Sequence, residues 1–190
     1  MRLTMTPPSW LHGRTLVAAV IVGAMLHIVV TLSAADRSAR TAFDAVARHL
    51  PVNQMKLLPA TSAANQLLPF QSPDMRYVVC RFDAGDGSIA VKASLPGLGW
   101  SLSLHNADGG NFFVVTGQEG RRTELALLLV PQGDEFVPLP REAVGAQSMA
   151  QVPITQREGL AIVRGPLTSP AYRAEVEAEL AKAACAHRKR

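Results

Sequence analysis

His105 and Asp108 are the first pair of residues in this sequence with the types and spacing for chemistry. A histidine base oriented by a carboxylate is the usual activator of a nucleophilic serine. However, the sequence contains no Gly-x-Ser-x-Gly elbow. Asp108 also lies in residues 106–110, a run of Asn, Ala, Asp and Gly that is typical of a turn. The sequence therefore favours a structural role for this pair and predicts no catalytic residue.

Asp83 and Asp86 form a second acidic pair, separated and followed by glycines. The arrangement resembles a calcium loop, but the spacing differs from that of an EF-hand and the terminal Glu is missing. A hairpin turn is the better interpretation, and we expect no metal and no cofactor.

Asp74 and Tyr77 are the two polar positions that we select as candidates for a binding site. They stand before and at the start of a predicted strand, and Asp74 follows Pro73. An Asp after Pro is also common as the cap of a turn. Both interpretations are kept.

Cys80 and Cys185 are the two cysteines of the chain. Cys80 shares a predicted strand face with Val78 and Phe82, which indicates burial. If residues 170–187 are helical, Cys185 lies about 220° around the helix from Tyr172, away from the apolar side. An oxidising compartment permits a disulfide, but the opposed placement predicts two free thiols.

Short runs in which apolar and polar residues alternate dominate residues 73–168, the predicted β-rich domain. They begin near residues 76, 88, 100, 111 and 123, and a further strand is predicted at 160–164. Regular spacing of eleven or twelve residues is typical of antiparallel strands in a sandwich. The fold is thus predicted to be mainly β with flanking helices, an antiparallel β-sandwich or jelly-roll-like domain whose consecutive strands form a meander.

Two helical segments flank this domain. Ser169 and Pro170 predict the start of a C-terminal helix with a basic tail in residues 169–190, and its apolar side consists of Tyr172, Val176, Leu180 and Ala183. Residues 34–72 contain an amphipathic helix over 36–50 and a proline-containing connector. The helix follows the membrane segment closely, so we predict that its apolar side is a partner surface, formed by Phe43, Val46 and Leu50.

Residues 15–33 are predicted to be a transmembrane helix. Residues 15–32 carry no charge, and as a helix they measure about 27 Å, nearly the hydrocarbon thickness. Arg2 and Arg14 precede the segment, which favours cytoplasmic residues 1–14 and a domain on the far side. Cleavage of a signal peptide after Ala35 is the alternative. His27 is interpreted as a neutral group within a lone anchor helix.

The charge balance argues against nucleic acid as a partner. Arg2 and Arg14 are the only charged residues of positions 1–35, so 17 of the 19 Lys and Arg remain against 15 acids. Much of the excess lies at the C-terminal end of the chain. A nucleic-acid-binding domain needs a basic surface spread over its fold.

The central segment resembles a bacterial family of domains of unknown function, the one numbered 1254. The resemblance covers roughly residues 66–130. It rests on three stretches, residues 72–77 (SPDMRY), 100–105 (WSLSLH) and 111–114 (NFFV). Pro73, Asp74 and Tyr77 match the Pro–Asp–Tyr pattern of that family. The resemblance implies a β-sandwich in a short membrane-anchored form that lacks the second domain of longer members, and it implies no activity.

Together, these features predict a single-pass protein of the bacterial inner membrane. Residues 15–33 enter the lipid bilayer, and the β-sandwich binds a partner membrane or periplasmic protein. The alternative is an envelope enzyme or carbohydrate-binding domain on the same scaffold, because a sandwich fold hosts both.

Overall fold

The computed structural model describes residues 9–62, 66–67, 71–132 and 149–188. Its internal contacts divide the chain into two compact units, Met1–Ala39 and Arg40–Arg190. The first contains the apolar part of a long helix. The second contains two β-sheets and a short helix, which confirms the prediction of a mainly β fold with flanking helices.

Helix α1 extends over Ser9–Ala47. Within it, Gly13–Ala34 has a mean hydropathy of 2.4 and none of the window is buried, so by length and composition this stretch can cross a membrane. The sequence predicted two helices, at 15–33 and 36–50. The structure has one instead, because no proline or glycine occurs between residues 24 and 50 to interrupt it. Pro51 follows its end.

The described residues contain nine strands in two sheets, the first with the order β1-β2-β8-β4-β5 and the second with the order β7-β6-β3-β9. The strands are β1 Met55–Leu57, β2 Met75–Asp83, β3 Ile89–Leu95, β4 Ser101–Asn106, β5 Asn111–Thr116, β6 Thr123–Pro131, β7 Ala150–Ile154, β8 Glu158–Pro166 and β9 Ala184–His187. All neighbours are antiparallel except the parallel pair β6 and β7.

The predicted meander is wrong. The chain passes from the first sheet to the second between β2 and β3 and returns between β3 and β4. Residues 84–88 therefore connect two sheets and do not close a hairpin. Each strand has one apolar face, and crossing between sheets lets successive strands bury those faces against each other.

The main core lies between the sheets. Ile89 pairs with Leu129 and Val91 with Leu127 across β3 and β6, and all four side chains are buried. From the first sheet, Val78, Phe82 and Leu104 join the same cluster. The alternate residues of β3 consequently face outward, as the period of a strand requires.

The C-terminal segment begins as predicted and ends differently. The Ser169 hydroxyl accepts a hydrogen bond from the Ala171 amide at the start of a 3-10 turn, Pro170–Tyr172, and helix α2 follows over Arg173–Leu180. Val176 and Leu180 are buried, whereas Tyr172 is exposed. The predicted helix to residue 187 is wrong, because Ala184–His187 pairs with β3 as a strand.

This difference also corrects the prediction of two free thiols. Cys80 and Cys185 form a disulfide that joins β2 of the first sheet to β9 of the second. In β9, Cys185 lies opposite Val91, whose side chain is in the core. A strand residue opposite an inward residue also points inward, so the helical geometry assumed from the sequence does not apply.

The predicted partner surface is likewise corrected. Phe43, Val46 and Leu50 are buried. They form a second apolar cluster with Leu58, Val79 and Leu160 on the outer side of the first sheet. Phe43, Val46 and Leu50 pack inside the domain, so they do not form an exposed surface for another protein.

Candidate functional site

A groove of about 940 Å³ lies on the outer face of the second sheet. Its floor consists of outward residues of β3, β6 and β9, which alternate with the core residues of the same strands. Small side chains form much of this floor, namely Ala90, Ser94, Ala126, Ala184 and Ala186. Charged side chains surround it, namely Lys92, Arg122, Glu124, Lys182 and Arg188.

Glu179 of α2 organises the charges at one side of the groove. Its carboxylate pairs with the Arg122 guanidinium and with the Lys182 ammonium, the latter at 2.7 Å. Arg122 also donates to the Ser94 hydroxyl at 2.7 Å, and that hydroxyl donates to Glu124 at 2.9 Å. Two strands and the end of α2 are thus connected by one polar network.

The network changes the ionisation of its members. Burial raises the pKa of Glu179, but hydrogen bonds from Lys182 and Arg122 and the charge of Arg122 outweigh it and hold the pKa at about 2. The hydrogen bond to Glu179 raises the pKa of Arg122. Glu179 is therefore ionised at neutral pH, and it neutralises part of the basic charge around the groove.

Lys92 and Arg188 are the cations of the groove that lack an acidic partner among the described residues. Arg188 donates from Nη1 to the Met149 sulfur at 3.4 Å, which leaves its charge uncompensated. Both side chains are exposed at the outer face of the sheet. The groove is therefore suited to an anionic group that approaches between Lys92 and Arg188.

The described residues that line the groove include no histidine or cysteine. Ser94 is engaged by Arg122 and Glu124 rather than by a base. Throughout the described part of the chain, no group of three or more His, Cys, Asp or Glu side chains is placed to hold a metal ion. The groove combines a floor of small side chains with charged side chains around it, which is suited to binding.

Asp74 and Tyr77 do not converge on the groove. Asp74 is exposed in the turn before β2, where its carbonyl accepts a hydrogen bond from the Leu167 amide at 2.8 Å. Tyr77 is half-buried against the second apolar cluster. Their role as binding residues stays a prediction.

His105 and Asp108 have separate partners. The His105 Nε2 atom lies 3.1 Å from the Ser103 hydroxyl, and burial lowers its pKa against the opposing effect of a backbone hydrogen bond with Gly109. Asp108 accepts hydrogen bonds from the Gly110 amide at 2.9 Å and from Gln156 at 2.7 Å. The turn interpretation of Asp108 is confirmed.

Asp83 also has a structural role. Its carboxylate accepts a hydrogen bond from the Gly85 amide at 2.8 Å, while its own amide and carbonyl bond to the Asn53 side chain. Gly87 closes this connection with a φ of 138°, a conformation open to glycine. Asp83 thus shapes the connection between the sheets.

A buried ion pair was not predicted from the sequence. The Arg76 side chain is 5% exposed, and its Nη2 atom lies 2.7 Å from the Glu177 carboxylate of α2 and 3.1 Å from the Leu58 carbonyl. Arg76 and Glu177 are 101 residues apart in sequence, and no local pattern reveals such a contact. The pair attaches α2 to the first sheet.

Similarity to known proteins is found among solved structures. No family model matches the chain, and no match was found among curated proteins. Among solved structures, the VPA0106 protein from Vibrio parahaemolyticus is similar at a TM-score of 0.53 and 12% identity over 78% of this chain and 35% of that one. An uncharacterized protein from Burkholderia cenocepacia has a TM-score of 0.41 at 12% identity over 72% of this chain and 34% of its own. The chain spans about a third of the length of each, and the first likeness indicates the fold alone.

Proposed function

We propose that this chain is a single-pass protein of the bacterial inner membrane whose periplasmic β-sandwich binds an acidic segment of a partner envelope protein in the groove of the second sheet. The observation that carries the binding role is that Lys92 and Arg188 have no acidic partner in the described part of the chain and stand over a floor of small side chains. Small side chains let an extended backbone approach the sheet, and the two cations attract carboxylates.

The membrane location is supported by the first unit. The apolar side chains of Gly13–Ala34 are exposed, which is costly in water and favourable in lipid. Arg2 and Arg14 precede this helix and favour a cytoplasmic N-terminus.

The periplasmic location is supported by the disulfide. A bond between Cys80 and Cys185 forms and persists in an oxidising compartment such as the periplasm. Cleavage after Ala35 would deliver the domain to the same compartment without an anchor.

The groove takes the place of the partner surface that the sequence indicated. Phe43, Val46 and Leu50 are buried in the domain. The described lining residues of the groove include no aromatic side chain to stack on a sugar ring and no nucleophile with its base. Protein binding is therefore favoured over carbohydrate binding or catalysis.

We also propose membership of the family of unknown function numbered 1254. The support is the match of Pro73, Asp74 and Tyr77 to the pattern of that family and the β-sandwich itself. The proposal carries no activity to this chain.

The test is purification of the full-length tagged chain from bacterial membranes in mild detergent, with identification of co-purifying proteins. The double variant Lys92→Glu and Arg188→Glu is expected to lose a partner that the wild type retains, because carboxylates replace the attracting cations. A matched control reverses two exposed charges away from the groove, Arg157→Glu and Arg173→Glu. If both variants retain the same partners, or if no partner co-purifies, the binding role is refuted.

A further inference from the structure

Strand β4 carries a row of polar side chains on the outer face of the first sheet. Leu102 and Leu104 are buried in the core between the sheets. The residues that alternate with them therefore face outward, namely Ser101, Ser103 and His105. The described lining of the groove includes none of the three. The row is thus a separate feature of the molecule.

Ser103 and His105 are arranged as a nucleophile and its base. The His105 Nε2 atom lies 3.1 Å from the Ser103 hydroxyl, within the range for proton transfer. A hydrogen bond with the Gly109 backbone acts to raise the pKa of His105 against the larger effect of burial, so the acceptor is the Gly109 carbonyl. The Gly109 amide itself donates to Asn106. A serine, a histidine and a group that orients the histidine are the parts of a serine hydrolase.

The surroundings of His105 favour a neutral ring near pH 7. Burial is the larger effect on its pKa and lowers it. Its cross-strand neighbours, Leu160 of β8 and Asn111 of β5, do not ionise. Asp108 in the following turn is engaged by hydrogen bonds of its own. A neutral imidazole is the form that accepts a proton from a serine.

The backbone is irregular at this position. The pairing of β4 with β5 shifts its register between Leu104 and His105. Such bulges redirect side chains and are frequent beside active sites. On β5, Val114 lies opposite Ser103 and is 56% exposed. It offers an apolar contact to a group that approaches the Ser103 hydroxyl.

Arg164 supplies a cation on the same outer face. It lies opposite Ser101 across β4 and β8, and its Nε atom donates to the Ser101 hydroxyl at 2.7 Å. The described residues provide no carboxylate for its charge. Ser101 is the outward residue next to Ser103, so the guanidinium lies beside the nucleophile. A cation in that position stabilises a negative oxygen that develops there.

We propose that Ser103 and His105 form a hydrolytic site for a carboxylic ester with a short apolar acyl group. The Ser103 oxygen bonds to the ester carbon as His105 takes the hydroxyl proton, and the leaving alcohol then receives that proton. Water next bonds to the acyl carbon and passes its proton through His105 back to Ser103, which releases the carboxylic acid. Arg164 stabilises the oxyanion in both steps. The site goes beyond the proposed partner binding and does not depend on the groove.

The test is reaction of the full-length chain in mild detergent with an alkyl fluorophosphonate. An activated serine oxygen bonds to phosphorus and releases fluoride, and peptide mass spectrometry locates the adduct. We expect one adduct, on Ser103 of the wild type. The wild type should also hydrolyse p-nitrophenyl butyrate, and the adduct should abolish this activity. Because the adduct is located in the wild type, this result does not depend on the folding of a variant.

The role of the base is tested by rate and by pH. His105→Gln is expected to lower the labelling rate about a hundredfold, with the Cys80–Cys185 disulfide as the check of folding. Ser72→Ala, which changes a half-buried serine before β2, should keep the wild-type rate. In the wild type, the rate should fall in acid with a midpoint below 6.5, the ordinary pKa of histidine.

The charge-reversed groove variant should label at the wild-type rate, which separates this inference from partner binding. No adduct, an adduct only on another residue, a wild-type rate in His105→Gln, or a midpoint at or above 6.5 would each overturn the hydrolytic site.

Discussion

Cys80 and Cys185, 105 residues apart in sequence, have Cα atoms 6.4 Å apart across the interior of the sandwich. Cys80 is fully buried in β2, and Cys185 lies in the four-residue edge strand β9. The bond therefore attaches the C-terminal strand of the second sheet to the central part of the first. It also fixes the strand that supplies Ala184 and Ala186 to the groove floor.

Removal of this bond is expected to destabilise the domain. In the chain-entropy model, a closed loop of about 100 residues contributes about 4.7 kcal/mol, and measured losses are typically about 2–5 kcal/mol. Cys80→Ala with Cys185→Ala should lower the free energy of unfolding by that amount, measured by urea titration in detergent. Thiol labelling of the denatured, unreduced wild type should find no free thiol, and two free thiols would contradict the structure.

The strands that the sequence identified are those with a complete local signal. Alternation in residues 88–95 and 100–105 predicted β3 and β4, whose inward residues Ile89, Val91, Leu102 and Leu104 are buried. Glycine-containing turns marked where β3 begins, at 83–87, and where β4 ends, at 106–110. Alternation and turn composition are properties of neighbouring residues, so they can be read without the fold.

Strand β9 had no such signal. Ala184–His187 is short, and it follows a helix whose pattern runs directly into it. Its conformation depends on pairing with β3, almost a hundred residues earlier. The same limit hid the groove, because Lys92, Arg122 and Arg188 come from three separate strands or strand ends and meet only through the order of the sheet.

Leu50 provides a test of the second apolar cluster. Its side chain is 7% exposed and packs with Phe43 and Val79. Leu50→Ala should lower the free energy of unfolding by about 2–5 kcal/mol through lost burial and a residual cavity. Leu98→Ala, at an exposed loop position, should change it by less than about 0.5 kcal/mol. Equal effects of the two substitutions in thermal or urea unfolding would show that the cluster is not part of the core.

Arg76 and Glu177 are expected to be sensitive to the loss of one partner. Glu177→Gln leaves the buried guanidinium without a counter-charge, and the Nε and Nη1 atoms of Arg76 already lack hydrogen-bond partners among the described residues. Removing one member of a buried pair costs about 3–5 kcal/mol; the low end applies because Glu177 is partly exposed. The double variant Arg76→Met and Glu177→Gln should be more stable than Glu177→Gln alone. Urea titration of the wild type, Glu177→Gln and the double variant measures the three free energies of unfolding. A double variant less stable than Glu177→Gln would contradict a desolvated ion pair.

The apolar helix is expected to hold the chain in the membrane. Gly13–Ala34 is long and apolar enough to span the hydrocarbon core. After alkaline carbonate washing, the full-length chain should stay in the membrane pellet, and N-terminal sequencing should recover its original start. Val22→Arg with Met25→Arg should weaken retention, because each arginine at the centre of the span costs about 2.5–3.5 kcal/mol of insertion. A soluble product that begins at Asp36 would show cleavage instead.

The stability of the domain should fall in acid partly through Glu179. The folded pKa of this carboxyl is held at about 2, below its ordinary value of 4.5. A group with a lowered folded pKa stabilises the folded state above its unfolded pKa, and this contribution is lost as the pH falls from about 4.5 toward 2. Because the groove is open to solvent, we expect a contribution on the order of 1 kcal/mol. In urea titrations at pH 6 and pH 3, Glu179→Gln should lose less free energy of unfolding between the two pH values than the wild type does. The control Ser94→Ala should show most of the wild-type decrease in free energy of unfolding between pH 6 and pH 3, since Lys182 and Arg122 still bind the carboxylate. An identical pH dependence in Glu179→Gln and the wild type would show that this carboxyl is not coupled to folding.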